Sequence, residues 1–217
     1  MITIIFDIDG TLIESTRFDN ACFIAAVREL MGADAYIRDD WSGYRHVTDS
    51  GILAEIAEEN NFALDARKYA AVRASFFGRI KDHLDSNPCI PRPGAVELIN
   101  QLRHDDSIRL GFATGGWRRS ALMKLKQAGF DFDPATLFSS DDHHERVEIM
   151  LACRDHIDGS GGPIVYVGDA PWDQKATASL GWPLIATGPR LRDQAEIWIE
   201  NFRSANWQNA LSQALRL

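Results

Sequence analysis

Residues 2–12 read Ile2-Thr3-Ile4-Ile5-Phe6-Asp7-Ile8-Asp9-Gly10-Thr11-Leu12. The first five are apolar or β-branched without alternation, which predicts a strand buried on both faces, as in a parallel sheet. The strand ends at a polar segment that carries two carboxylates and a glycine. In open α/β sheets, ligands bind at the carboxyl ends of the strands. This stretch therefore indicates both the class of fold and the place of a site.

The rest of the chain, from about residue 88, alternates short apolar segments with amphipathic ones. Strands are predicted at 108–113, 137–138, 163–167, 183–186 and 197–199. Helices are predicted at 93–102, 117–127, 145–156, 172–180 and 206–215. Repeated β-α units imply a parallel sheet with helices on both faces. The fold class is therefore α/β, with a Rossmann-like parallel sheet as its core.

Between residues 19 and 84 the pattern is helical only. Apolar residues recur on one helical face of the first segment, at Phe23, Val27, Leu30 and Met31. A second helix is predicted after the capping residues at 48–50, and a third over 66–84. Three prolines within 86–93 end the helical block. We expect residues 16–87 to form an inserted all-helical cap domain, and residues 1–15 and 88–217 to form the α/β core domain.

Composition and charge exclude several classes of protein. The 217 residues are 45% hydrophobic and 25% charged, which is ordinary for a soluble globular protein. The net charge of −8 argues against nucleic acid as a partner. An apolar start that Asp7 interrupts is too short for a signal peptide, and no run approaches a membrane span. Widely spaced cysteines fit free thiols. We expect a cytoplasmic protein that contacts no membrane; the sequence leaves its oligomeric state open.

Polar residues follow the other predicted strands as well. Thr114-Gly115-Gly116 follows the strand at 108–113, and Gly168-Asp169 and then Asp173 follow the strand at 163–167. Carboxylates gathered at one edge repel one another unless a cation lies between them. Mg²⁺ takes oxygen ligands and is usually held by one or two carboxylates together with substrate phosphate. The pattern predicts a magnesium site that attracts a phosphorylated ligand.

These motifs resemble those of the haloacid dehalogenase-like (HAD) hydrolase superfamily. The string from Asp7 to Leu12 is similar to its first motif, DxDGT, and Thr114 matches its Ser/Thr motif. Gly168-Asp169 and Asp173 match its GDxxxD motif. The helical insertion resembles the family's cap of the first type. Three motifs in register, each after a predicted strand, span essentially the whole chain.

The resemblance implies a phosphatase mechanism. Asp7 would be the nucleophile that becomes an aspartyl phosphate, and Asp9 would protonate the leaving oxygen and then activate water. Asp7, Asp169 and the backbone carbonyl of Asp9 would bind Mg²⁺. Thr114 and the amide of Gly115 would bind the phosphoryl oxygens. Asp173 would orient the site without touching the substrate.

One position departs from the family pattern. The family usually has a lysine after the third strand, where this chain offers Arg146 as the phosphate-binding cation. Lys175, Lys124 and Lys126 are competitors. We expect Lys124 and Lys126 to lie mid-helix on a solvated face, whereas Lys175 follows Asp173 by less than one turn and is the stronger alternative.

Asp9 also discriminates among the family's reactions. By the resemblance, the dehalogenases and the phosphonate-cleaving members lack a carboxylate at this position, so hydrolysis of a small phosphomonoester is favoured. The alternatives are a sugar-phosphate phosphomutase and a non-catalytic phosphate-binding protein. The cap is expected to select the substrate, and the candidate specificity residues are Arg17, Tyr44, Arg45 and His46.

Overall fold

A single parallel sheet of six strands organises the part of the chain that the computed structural model describes, residues 1–157 and 161–216. The strands are β1 Ile2–Phe6, β2 Ile108–Ala113, β3 Leu137–Phe138, β4 Ile164–Gly168, β5 Leu184–Thr187 and β6 Ile197–Ile199. Their order in the sheet is β3-β2-β1-β4-β5-β6. The predicted Rossmann-like α/β fold is confirmed.

The helices occupy the predicted segments to within a few residues. They are α1 Thr16–Met31, α2 Asp49–Glu59, α3 Ala66–Ser86, α4 Ala95–Arg103, α5 Arg118–Gln127, α6 Arg146–Ile157, α7 Pro171–Leu180 and α8 Ser204–Ala214. A short 3₁₀ turn at Trp41–Gly43 lies between α1 and α2. The helix predicted from residue 93 begins at Ala95, because Gly94 adopts a left-handed conformation with φ of 83° and serves as its N-cap.

Strand β1 lies at the centre of the sheet. Phe6 is in register with Phe112 of β2 on one side and with Val167 of β4 on the other. Ile4 and Ile5, on opposite faces of the strand, are both fully buried. A central strand covered on both faces favours apolar or β-branched side chains throughout, which explains why the apolar residues of this stretch do not alternate with charged ones.

Helices α1, α2 and α3 all lie between β1 and β2 in the chain. The segments that lead into and out of this insertion pair with each other. The amide of Glu14 donates to the carbonyl of Ile90 over 2.9 Å, and the amide of Arg92 donates to the carbonyl of Leu12 over 2.8 Å. The segment that enters the insertion and the segment that leaves it therefore lie side by side. We propose residues 16–87 as the cap domain, and residues 1–15 with 88–217 as the core domain.

The insertion packs on the core around one tryptophan. Trp117 precedes α5 and is completely buried. Its ring lies 5.8 Å from that of Phe23 in α1 and 5.3 Å from that of Phe76 in α3. Its indole nitrogen donates to the hydroxyl of Tyr69 over 3.1 Å. Aromatic contacts of this kind add to the free energy of burial, so Trp117 anchors the helical insertion.

None of the helices in residues 1–157 and 161–216 is long and apolar enough to cross a membrane. Even α3, which has 21 residues, carries charged side chains along its length.

Replacing Trp117 by alanine is expected to lower the free energy of unfolding by about 3–5 kcal/mol, the usual range for removing a buried large aromatic side chain. Urea titration followed by circular dichroism measures the change. Trp182→Ala is the matched control, because Trp182 is only partly buried. An equal loss in the two variants would show that Trp117 is not a particular anchor.

Candidate active site

The first motif forms a tight turn directly after β1. The amide of Asp7 still donates to the carbonyl of Val167 over 2.9 Å, so Asp7 is held as part of the sheet. Gly10 has φ of 90°, and a Cβ atom there would lie 2.5 Å from a carboxylate oxygen of Asp169. Only glycine fits this approach. The turn therefore brings the first motif against the residue that follows β4.

Three buried carboxylates meet at this point. Asp7, Asp169 and Asp173 each offer an oxygen, and these oxygens lie within 4.8 Å of one another. Burial, together with the charge of Asp173, raises the pKa of Asp7 well above its ordinary value, although Arg146 opposes the rise. Burial and the charge of Asp173 also raise the pKa of Asp169 to about 7. Burial is the larger cause in both cases, and the repulsion between neighbouring carboxylates adds to it.

The donor set fits a hard divalent cation. All three side chains offer oxygen, as Mg²⁺ prefers, and the cluster is compact enough for two or three of them to reach one ion. A bound cation would remove the repulsion that raises the pKa values of Asp7 and Asp169. The residues present can hold a divalent metal.

Arg146, the first residue of α6, lies beside this cluster. Its Nη1 is 2.9 Å from Oδ1 of Asp173 and 3.3 Å from Oδ1 of Asp7. Its Nε is buried and has no hydrogen-bond partner among the described residues. A guanidinium with a free buried donor suits an anionic ligand. Lys175, the stronger alternative for this role, is exposed on α7 and does not line the cleft that contains Asp7.

Thr114 and Gly115, which follow β2, face the same cleft. The hydroxyl of Thr114 accepts a hydrogen bond from the amide of Gly116 over 3.1 Å, which fixes the turn. A Cβ atom on Gly115 would lie 2.5 Å from Nη2 of Arg146 and 2.8 Å from the carbonyl oxygen of Val47. Gly115 therefore lets both the arginine and the insertion approach the turn.

Asp173 orients its neighbours. Its Oδ2 accepts hydrogen bonds from the amides of Asp169 and Ala170, over 3.2 and 3.1 Å, while its Oδ1 accepts from Arg146. The side chain is fully buried. Its contacts hold the loop after β4 and the guanidinium of Arg146 in fixed positions.

Asp9 is held by a lysine that the sequence analysis placed wrongly. Lys124 was expected on a solvated face of α5, but it is completely buried. Its Nζ lies 2.5 Å from Oδ1 of Asp9 and also bonds Asp19 of α1. Although burial opposes it, the charges of Asp19 and Asp9 raise the pKa of Lys124. Lys124 thus joins the first motif to the insertion. Lys126, two residues on, is exposed as expected.

The helical periodicity could have identified Lys124. Ala121, Leu125 and Ala128 are buried, and residues 121, 124, 125 and 128 share one helical face. The charge of the side chain, rather than its position in the pattern, led to the wrong expectation.

Arg190 is a further residue that the sequence analysis missed. It follows β5, and its Nη1 lies 3.2 Å from Oδ2 of Asp169. Its guanidinium lies over the ring of Trp172, 5.3 Å from the ring centre. The carboxyl end of β5 is itself a ligand position in such a sheet, which is the signal that would have found Arg190.

The structure places the four specificity candidates outside the cleft that contains Asp7. Tyr44 is buried, and its hydroxyl accepts from the amide of Arg38. Arg45 pairs with Glu55 and Glu58. With Tyr44 and His46 it lines a neighbouring cavity of about 310 Å³, which shares Val47, Arg146 and Trp172 with the cleft. Arg17 lines a separate groove between α1 and α3.

Other residues of the insertion line the cleft. The lining residues from the insertion are Thr16, Asp19, Asn20, Phe23, Trp41, Val47, Thr48, Asp49 and Ile52. The cavity volume is about 80 Å³. Since one water needs roughly 10–15 Å³ of cavity volume, the cleft accommodates a few waters or a small ligand.

Helix α2 is hydrogen-bonded to the rim of the cleft. The amide of Asp49 donates to the carbonyl of Gly115 over 2.8 Å, and its Oδ2 accepts from the amide of Trp117 over 2.8 Å. The hydroxyl of Thr48 donates to the carbonyl of His144 over 2.7 Å. The first turn of α2 therefore forms one wall of the site.

The sequence profile of the haloacid dehalogenase-like hydrolases matches residues 1–181. The match covers most of the chain, and the chain belongs to this family. Among curated proteins, no sequence matches it significantly.

Solved structures share the fold over almost the whole chain. CbbY from Rhodobacter sphaeroides, in complex with phosphate, is 18% identical with a TM-score of 0.71, covering 92% of this chain and 94% of CbbY. β-Phosphoglucomutase from Clostridium difficile is 15% identical with a TM-score of 0.73, covering 100% of both chains. A predicted phosphoglycolate phosphatase from Haemophilus somnus is 15% identical with a TM-score of 0.62, covering 95% and 97%.

Replacing Lys124 by methionine is expected to lower the free energy of unfolding by about 3 kcal/mol, because buried Asp19 and half-buried Asp9 lose their partner. Lys126→Met, on the exposed face of the same helix, should change it by less than about 0.5 kcal/mol. Urea titration measures both. Adding Asp19→Asn to Lys124→Met should restore part of the loss. Equal behaviour of the two lysine variants would contradict the buried role of Lys124.

Millimolar Mg²⁺ is expected to raise the melting temperature of the wild type, since a ligand of the native state stabilises it by mass action. The rise should disappear in Asp169→Asn and persist in Asp155→Asn, which alters an exposed carboxylate on α6. Differential scanning fluorimetry at constant ionic strength measures the shift within each variant. An undiminished shift in Asp169→Asn would place the metal elsewhere.

Proposed function

We propose that this hydrolase is a Mg²⁺-dependent phosphatase that cleaves a small phosphorylated metabolite, a phosphomonoester, through an aspartyl phosphate on Asp7. The observation that carries the proposal is that Asp169 and Arg146 both lie beside Asp7, at the cleft that Asp7, Asp9 and Arg146 line. A nucleophile, a metal-binding carboxylate and a phosphate-binding cation are the parts that phosphoryl transfer needs.

In the first step a carboxylate oxygen of Asp7 attacks phosphorus, and the bond from phosphorus to the alcohol oxygen breaks. Asp9 gives its proton to that oxygen, so the product leaves as a neutral alcohol. Lys124 and Ser15 both bond Oδ1 of Asp9, and Oδ2 of Asp9 lies beside Gly116. These contacts fix the orientation of the Asp9 side chain. In the second step Asp9 takes a proton from water, the water oxygen attacks phosphorus, and the carboxylate of Asp7 is released.

The phosphoryl oxygens need positive charge and hydrogen-bond donors. Arg146, the hydroxyl of Thr114 and the amide of Gly115 are proposed to bind them. Asp7, Asp169 and the backbone carbonyl of Asp9 would hold Mg²⁺, which supplies positive charge against the charge on the transferring group. Asp173 acts through Arg146 and the loop after β4, so it is a positioning residue.

The phosphate in the CbbY crystal supports a phosphorylated ligand for this fold. The phosphoglycolate phosphatase named among the structural neighbours supports hydrolysis of a phosphomonoester. The net charge of −8 argues against a nucleic acid as the substrate. The small volume of the cleft favours a small metabolite.

Asp7→Asn is expected to lower kcat by at least about 10³-fold, because an amide cannot serve as the nucleophile. Release of inorganic phosphate from p-nitrophenyl phosphate and a metabolite panel measures the activity. Since Asp7 is buried among like charges, Asp7→Asn should keep the wild-type melting temperature or raise it.

Asp155→Asn is the control and should retain full activity. Undiminished activity of Asp7→Asn would contradict the covalent mechanism. Absence of turnover by the wild type with Mg²⁺, Mn²⁺ or Co²⁺ would instead favour a phosphate-binding protein.

A further inference from the structure

The side of the cleft that the insertion forms contains four apolar side chains. Phe23 and Trp41 meet with their rings 5.9 Å apart, and Val47 and Ile52 complete this part of the wall. All four belong to the insertion. In the proposed reaction this wall surrounds the organic group that leaves with the alcohol oxygen.

The charged groups on this wall are negative. Asp19 and Asp49 line the cleft from the insertion, and its other polar lining residues there, Thr16, Asn20 and Thr48, are neutral. Among the described residues that line the cleft, the positively charged ones are Arg146 and Arg190. Both arginines belong to the core, on the side of the phosphoryl site.

These two arginines are already paired with core carboxylates. Arg146 contacts Asp7 and Asp173, and Arg190 contacts Asp169. Their charge therefore offsets the acidic cluster and the phosphoryl group. The insertion's side of the cleft supplies no further cation among the described residues that line it.

The two acidic residues of the wall differ in their partners. Asp19 bonds the ammonium group of Lys124. Asp49 contacts no cation among the described residues, and its one side-chain hydrogen bond there comes from the amide of Trp117. Burial and the charge of Asp19 raise the pKa of Asp49 well above its ordinary value. An unpaired carboxyl group at the cleft favours a hydrogen-bond donor or a cation as its neighbour.

Asp49 lies close to the acid/base residue. A Cβ atom on Gly116 would lie 3.4 Å from Oδ2 of Asp9 and 3.8 Å from Oδ2 of Asp49. The two carboxyl groups thus flank the same glycine. The atoms next to the leaving oxygen would pass beside Asp49, where a carboxylate or phosphate on the substrate would lose its hydration without gaining a cationic partner.

We propose that the substrate is a phosphomonoester whose leaving group carries no second anion, and is a neutral or cationic alcohol such as a polyol or an amino alcohol. This inference rests on the proposed phosphatase function and adds the charge class of its substrate. The proposed charge class differs from that of two ligands named for the structural neighbours. One neighbour is described as a phosphoglycolate phosphatase, and a crystal of CbbY contains xylulose-(1,5)-bisphosphate. Both ligands carry a second anion.

Matched pairs of substrates test the proposal on the Mg²⁺-loaded wild type. Glycerol 3-phosphate is compared with 3-phosphoglycerate, and 2-hydroxyethyl phosphate with phosphoglycolate, so that each pair differs by one carboxylate. Phosphoethanolamine adds a cationic leaving group. We expect kcat/KM to be at least about tenfold higher for the neutral or cationic member, because the second anion of the other member loses its hydration without a cationic partner.

Two variants trace the preference to the wall. Asp49→Asn should reduce the ratio within each pair, and Val47→Lys should reduce it further by placing a cation in the cleft. Glu58→Gln changes a carboxylate on the exposed face of the same helix and should leave the ratio unchanged.

The outcomes separate the two proposals. Equal or faster hydrolysis of the carboxylate-bearing members would overturn the charge class, while turnover of p-nitrophenyl phosphate would still support the phosphatase. If nothing is hydrolysed, the phosphatase proposal fails, and calorimetric binding of the same pairs to Asp7→Asn decides the charge class. Tighter binding of the neutral members supports it, and equal or weaker binding overturns it.

Discussion

The structure is organised around the concentration of buried negative charge where β1 and β4 end. Asp7, Asp169 and Asp173 approach one another closely enough that burial and repulsion disfavour their ionised forms. Arg146 and Arg190 offset part of this charge. The proposed site for a metal and a phosphoryl group concentrates negative charge, so its stability depends on the cations around it.

The same constraint ties the insertion to the core. Lys124 spans the two parts of the chain, because it bonds Asp9 of the first motif and Asp19 of α1. Asp49 is hydrogen-bonded to the turn after β2 through its backbone amide and its carboxylate. The insertion is therefore held at the site by polar contacts as well as by the aromatic packing around Trp117. Its position and the orientation of the Asp9 side chain depend on each other.

Residues of the candidate site were predictable wherever a strand placed them. Asp7 and Asp169 follow neighbouring strands of one parallel sheet, and parallel strands bring their carboxyl ends together. Lys124 was misplaced because its charge was weighed above its helical position. Tyr44 and Arg45 were chosen as the polar side chains of a loop, but the folded loop turns them toward other partners. Loop side chains have no periodicity from which their direction can be inferred.

The sequence by itself determined the parallel α/β sheet, the inserted helices and the residues at the strand ends, because these follow from local patterns of apolar and polar residues. Only the tertiary structure decided which charges meet. It paired Lys124 with Asp9 and brought Arg190 to Asp169, whereas Asp49 at the cleft pairs with no cation in the part of the chain that the structure describes. Such contacts join residues far apart in the chain, and their energies depend on burial, which exists only once the chain has folded.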